Sequence, residues 1–86
     1  MIQNLETRVK EIIVECTDSR WHINDINLND ELSSIGVNSL IYMRLVSMLE
    51  EEFNIVFDDE MLIFKNIGTL YYFIQYVKEK LNQSKE

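Results

Sequence analysis

At 86 residues, 47% of them apolar and none of them proline, the chain forms one small domain without room for a deep catalytic cavity behind a thick core. A lone cysteine, Cys16, excludes an internal disulfide and any multi-cysteine metal cluster. The net charge of −7 concentrates in residues 25–60, where nine acidic side chains stand against one basic, Arg44, which argues against nucleic acid as a partner and favours basic surfaces on other proteins.

Ile2, Leu5, Val9, Ile12, Ile13 and Cys16 recur at the three- and four-residue spacing of a one-sided helix. This predicts a first helix that ends near Thr17, ahead of the polar run Asp18 to Arg20. Residues 17–38 read as a long loop, because Asn24, Asp25, Asn27, Asn29 and Asp30 compete with helix by bonding their own backbone. Trp21, Ile23, Ile26, Leu28, Leu32 and Ile35 are spread through it, so the loop is expected to pack down on the helices. Loops of this length are usually functional. Gly36 marks a turn at its end.

A second helix is predicted from Asn38 or Ser39, both good N-caps, to about Phe53. Asp58 to Phe64 has the length of one short helical turn. A final helix is predicted from about Gly68 to Leu81, with Ile67, Leu70, Ile74, Val77 and Leu81 at helical spacing. Lys78 and Lys80 then fall in its last turn, where cations suit the helix dipole. No segment alternates as a strand does, and Ile55 to Phe57 is too brief to count as one. The expected architecture is an all-α bundle of three long helices and one short one, with the long loop between the first two.

The stretch Leu32 to Phe53, LSSIGVNSLIYMRLVSMLEEEF, carries the chemistry. At about 100° per residue, Tyr42, Leu45, Val46, Leu49 and Phe53 share one arc of the second helix and form its core stripe. Leu40, Met43 and Ser47 face the opposite way. Single exposed apolar residues are ordinary, but two of them beside a serine at a helix start also fit a surface that partners cover transiently. Ser39 could act simply as a helix cap. As a nucleophile it is poorly equipped, since the only histidine, His22, lies in the loop and no GxSxG elbow is present. As an attachment point for a phosphate ester it is well placed, near unsatisfied N–H groups and the positive end of the helix dipole.

The run IGVNSL followed by LVSMLEEEF resembles the phosphopantetheine-attachment segment of acyl and peptidyl carrier proteins, with its G-x-[DN]-S-L core, apolar helix and acidic patch before a phenylalanine. Gly36, Ser39, Leu40, Leu45, Leu49, Glu50, Glu51 and Phe53 match position by position. The order of helices extends the resemblance over nearly the whole chain, residues 1–86 forming a single carrier domain. The resemblance implies a four-helix carrier bundle that is not an enzyme. It implies a 4'-phosphopantetheine arm, taken from coenzyme A and attached covalently to Ser39 between Asn38 and Leu40, with cargo held as a thioester on its terminal thiol. The implied partners are a phosphopantetheinyl transferase, an acyl- or aminoacyl-loading (adenylating) enzyme and a downstream synthase or transferase. The carrier itself is expected to be a monomer. Partner recognition is implied for the second helix, which assigns Leu40, Met43, Arg44, Ser47, Glu50 and Glu51 to the docking face. Glu50 and Glu51 also read as part of an ordinary solvated helix end.

Two positions depart from carriers that serve fatty-acid synthesis. Asn38 stands where those usually have Asp, and Arg44 where they usually have an acidic residue. Arg44 changes the charge of the docking face by two units and should discourage partners built for the acidic version. A stand-alone carrier for a specialised peptide, aryl or polyketide pathway is therefore expected ahead of the general fatty-acid carrier. Alternatives from other classes are a cofactor-free acidic helical adaptor with a degenerate carrier fold, and a minimal hydrolase using Ser39.

The other features have simpler readings. Asp25, Asn27 and Asn29 match the first positions of a calcium loop, but Asp30 and Gly36 stand where the turn glycine and the bidentate glutamate belong. Trp21 reads as a loop anchor with His22 as its partly exposed neighbour, and Cys16 as a small buried apolar residue. Ile41 and Met48 read as packing at the edge of the core, with a pathway-specific apolar contact as the alternative, and Tyr71, Tyr72 and Tyr76 read the same way, with a place facing the arm or its cargo as theirs. No apolar run reaches the roughly 18 residues that cross a bilayer, or follows a basic start as in a signal peptide. A cytoplasmic protein that makes no membrane contact is the expectation.

Overall fold

A computed structural model describes residues 4–18 and 20–84, which form three α-helices joined by 3₁₀ turns. The first helix, α1, spans Leu5–Cys16. Its apolar stripe is buried at Leu5, Val9, Ile12, Ile13 and Cys16, while Ile2 of the same rhythm lies outside the described residues. Thr17 stops the helix. Its buried hydroxyl donates to the Ile13 carbonyl at 2.9 Å, and Asp18 follows with a left-handed φ of 61° that turns the chain away.

Residues 17–38 pack down as expected, with Ile26, Leu32 and Ile35 buried and Trp21 and Leu28 half-buried against the core. They are more ordered than a plain loop, containing 3₁₀ turns at Ile23–Asp25 and Leu32–Ile35. Of the Asn and Asp residues, the two aspartates bond the local backbone through their side chains. Asp25 accepts the His22 amide at 3.3 Å, and Asp30 accepts the Asn27 amide at 2.9 Å. Gly36 has a φ of +90°, and a Cβ there would sit 3.3 Å from the Trp21 indole nitrogen. Glycine thus satisfies both the left-handed turn and the close approach of the ring.

The second helix, α2, runs from Ser39 to Phe53 and buries Tyr42, Leu45, Val46 and Leu49. Phe53, at the end of the stripe, is half-buried. The helix closes on Asn54 in the left-handed conformation, with the Ile55 amide bonded to the Glu50 carbonyl at 3.2 Å. The short element consists of two 3₁₀ turns, Asp59–Leu62 and Phe64–Asn66, because Ile63 between them is extended.

The third helix, α3, spans Leu70–Ser84. Its first amides are taken by the crossover loop, residues 17–38 between α1 and α2: Leu70 donates to the Asp30 carbonyl at 2.8 Å and Tyr71 to the Leu28 carbonyl at 2.9 Å. The Thr69 hydroxyl accepts the next amide, that of Tyr72, at 3.3 Å. Leu70, Phe73, Ile74 and Val77 face the core. Because polar residues continue the helix past Leu81, Lys78 and Lys80 do not stand in its last turn. Lys80 instead reaches the Asp58 carboxylate at 3.0 Å. Tyr76 is the one tyrosine of the three that packs at the core edge. Its hydroxyl donates to the Asp58 carboxylate at 2.9 Å and accepts the Asp58 amide at 2.8 Å. Tyr71 and Tyr72 are 53% and 51% exposed, since the inward arc of α3 leaves them on its outer side.

Candidate functional site

The start of α2 is built from three residues with different tasks. Val37 is buried and anchors the chain. Asn38 is the N-cap: extended in backbone, it accepts the Ile41 amide on Oδ1 at 2.8 Å, and its carbonyl accepts the Tyr42 amide at 2.7 Å. Ser39 is the first helical residue and is exposed. With the cap supplied by Asn38, the Ser39 hydroxyl has no hydrogen-bond partner among the described residues. The amides of Ser39 and Leu40 precede the first intrahelical bond, so no carbonyl within the helix accepts from them.

The outer face of α2 follows the expected wheel. Leu40 is 79% and Met43 44% exposed, and Arg44 and Ser47 are exposed beside them. These four line one side of a shallow open depression of about 340 Å³, with Cys16 and Asp18 at the end of α1 on the other. Cys16 brings no reactive thiol to it. The residue is buried, desolvation pushes its pKa up more than the Arg44 charge draws it down, and its Sγ lies 3.5 Å from the Met48 sulfur. Met48 and Ile41 pack half-buried against the core.

The three glutamates near the end of α2 are not equivalent. Glu50 is half-buried and accepts the Phe57 amide at 2.8 Å, which ties the following segment to the helix. Glu52 receives a two-point contact from Arg8, at 2.6 and 2.7 Å. That contact holds its carboxyl below the usual carboxylate range and raises the Arg8 guanidinium. Glu51 is exposed. The residues assigned to docking thus share one helix, with Glu50 also engaged internally.

Sequence reasoning placed Tyr42 in the core but missed what its hydroxyl does. The ring is fully buried, and the hydroxyl donates to the Met61 carbonyl at 2.5 Å. Burial pushes its phenol pKa up. The available signal was a tyrosine in an apolar stripe, since a buried phenol requires a partner. Nothing local could name Met61, 19 residues away.

An exposed hydroxyl on the first residue of a helix, unoccupied by capping and beside open amides, fits a phosphodiester-linked group. Comparison with known proteins points the same way. Residues 8–77 match the family described as phosphopantetheine attachment site. The acyl carrier protein of Buchnera aphidicola subsp. Acyrthosiphon pisum (strain Tuc7) is 35% identical over 81 residues, which cover 92% of this chain and 95% of that protein. This chain belongs to the acyl carrier protein family. A second member, the acyl carrier protein homolog of Ureaplasma parvum serovar 3, is 31% identical over 68 residues, covering 77% of this chain and 88% of its own length. Acyl carrier proteins are carriers rather than enzymes, and they bear 4'-phosphopantetheine covalently. They work with a phosphopantetheinyl transferase and with acyl-handling enzymes. When bound, the group supplies a thiol that holds cargo as a thioester.

Proposed function

We propose that Ser39 is the attachment residue and that this carrier, a cytoplasmic monomer, serves a specialised peptide, aryl or polyketide pathway. The Ser39 hydroxyl, exposed and without a hydrogen-bond partner among the described residues, supports the attachment most directly. In the transfer, the Ser39 oxygen forms a new bond to the phosphorus of coenzyme A that carries the pantetheine. The pyrophosphate bridge breaks, the adenosine bisphosphate leaves, and the Ser39 proton passes to a base on the transferase. Asn38 keeps the helix start fixed meanwhile, and Leu40 and Met43 offer an apolar contact. Arg44 and Ser47 continue the docking face along α2, with Glu50 and Glu51 at its far end.

The test is intact mass after incubation with coenzyme A and a promiscuous phosphopantetheinyl transferase. One phosphopantetheine should appear on the wild type and none on Ser39→Ala. A bare wild type, or an adduct that survives in Ser39→Ala, rejects the attachment. An adaptor without cofactor would stay bare yet still bind partners, and a hydrolase would cleave esters without modification.

Exposed Arg44, inside the docking face, favours the specialised pathway. A cation at that position opposes partners whose own surfaces are basic. Arg44→Glu should therefore improve loading by fatty-acid enzymes, and no improvement would remove this support. The second reading, a carrier for general fatty-acid synthesis, draws on the likeness to proteins named acyl carrier protein.

A further inference from the structure

We propose that Tyr42 closes the interior of the bundle to the cargo, so that whatever Ser39 carries stays outside the fold. The inference rests on Ser39 bearing the arm. It also narrows the cargo to groups that gain little from burial: short or polar acyl groups, aminoacyl groups included.

Tyr42 lies three residues beyond Ser39, about one helical turn further along α2. Ser39 is exposed, whereas the Tyr42 ring is fully buried. The ring crosses from α2 to the turn at Asp59–Leu62, where its hydroxyl is fastened to the Met61 carbonyl. It packs against Phe64 with centroids 5.4 Å apart and meets Phe73 of α3 edge-on at 5.8 Å. Phe73 in turn packs on Phe57 at 5.9 Å, and Phe57 on Tyr76 at 5.2 Å. One side chain therefore closes the seam where α2, the 59–66 segment and α3 converge beneath the attachment residue.

An apolar chain tethered at Ser39 that entered this seam would have to displace the ring. It would also strip the Met61 carbonyl of its donor in a buried place, where an unpaired polar group is expensive. A chain enters a close-packed interior only where side chains give way, and here the one that must give way is a ring bonded at its hydroxyl and packed against two others. The tyrosine is held on three sides, so the interior stays shut.

The experiment compares acetyl and dodecanoyl thioesters on the intact protein, installed from the matching acyl-coenzyme A by a promiscuous transferase and verified by mass. Cleavage by hydroxylamine and the core methyl resonances of Leu45, Val46 and Ile74 are then read. In the wild type each thioester should be cleaved as fast, relative to the matching free acyl-pantetheine thioester, as the other, and lengthening the chain should leave the core methyls in place. In Tyr42→Val the dodecanoyl chain should enter. If it spends about nine-tenths of its time inside, cleavage slows about tenfold and the core methyls shift. Tyr42→Leu, which keeps more apolar bulk, is read alongside in case the valine variant fails to fold. Protection of the dodecanoyl thioester in the wild type overturns the proposal, as does its absence from every folded variant. Failure of the attachment reading itself is distinct, because the mass then shows no adduct before any rate is measured.

Discussion

Replacing Asn38 by alanine isolates the interaction that sets the start of α2. Among the described residues, the Asn38 side chain alone caps the first turn, through its 2.8 Å bond from the Ile41 amide. Losing an N-cap of this type costs about 1 kcal/mol. In a domain of this size, 1 kcal/mol lowers Tm by about 4–8 °C. Asn38→Asp retains the acceptor and adds a negative charge at the positive end of the helix, worth about 0.3–1 kcal/mol on an exposed surface at low salt. The aspartate variant should therefore melt at or above the wild type while the alanine variant melts below it, as measured by calorimetry at neutral pH and low ionic strength. An alanine variant that melts with the wild type would refute the reasoning, and so would an aspartate variant that melts with the alanine one. Either result would mean that the cap does not fix the helix start, and Ser39 would lose the structural reason for its free hydroxyl.

Tyr42→Phe should lower stability by about 1–3 kcal/mol in urea melts, because it leaves the Met61 carbonyl without its buried donor; an unchanged midpoint would show that the bond contributes nothing net. Gly36→Ala forces a side chain into a φ of +90° and against the Trp21 ring, at a cost of about 1–2 kcal/mol for the left-handed residue alone. Trp21 fluorescence during denaturation measures that loss, and wild-type stability would disprove the strain. Acid should weaken the fold in a defined direction. Bonds from Lys80 and Tyr76 hold Asp58 below its ordinary value, and Arg8 does the same for Glu52. Both contributions are present above the unfolded carboxylate values near pH 4 and are lost as pH falls through the lower folded ones. Asp58→Asn should flatten the acid limb of a Tm-against-pH curve, and a curve parallel to the wild type's would contradict the assignment.

The exposure of Ser39 and of the outer α2 face was legible because its signals are local. A cap pair, an apolar arc and an opposing exposed pair can all be read within the sixteen residues 38–53. The choice of Asn38 over Ser39 as cap was not legible, because both residues cap well. The crossover's 3₁₀ turns sit in a segment whose backbone also bonds to Gly68, Leu70 and Tyr71, partners remote in sequence. Lys80 illustrates the same limit. Its place near the helix end suggested a dipole role, while its contact, Asp58, lies 22 residues earlier. Tyr71 and Tyr72 have the same composition signal as Tyr76, and only the inward direction of α3 separates them.

The bonds from α3 to the carbonyls of Leu28 and Asp30 have a mechanical consequence. The crossover works as a splint: it cannot peel away without baring the amides at the head of the last helix, and that helix cannot fray backwards without releasing the crossover. Ser39 sits just beyond this brace, so an arm attached there, as proposed, would sweep while the platform beneath it holds still.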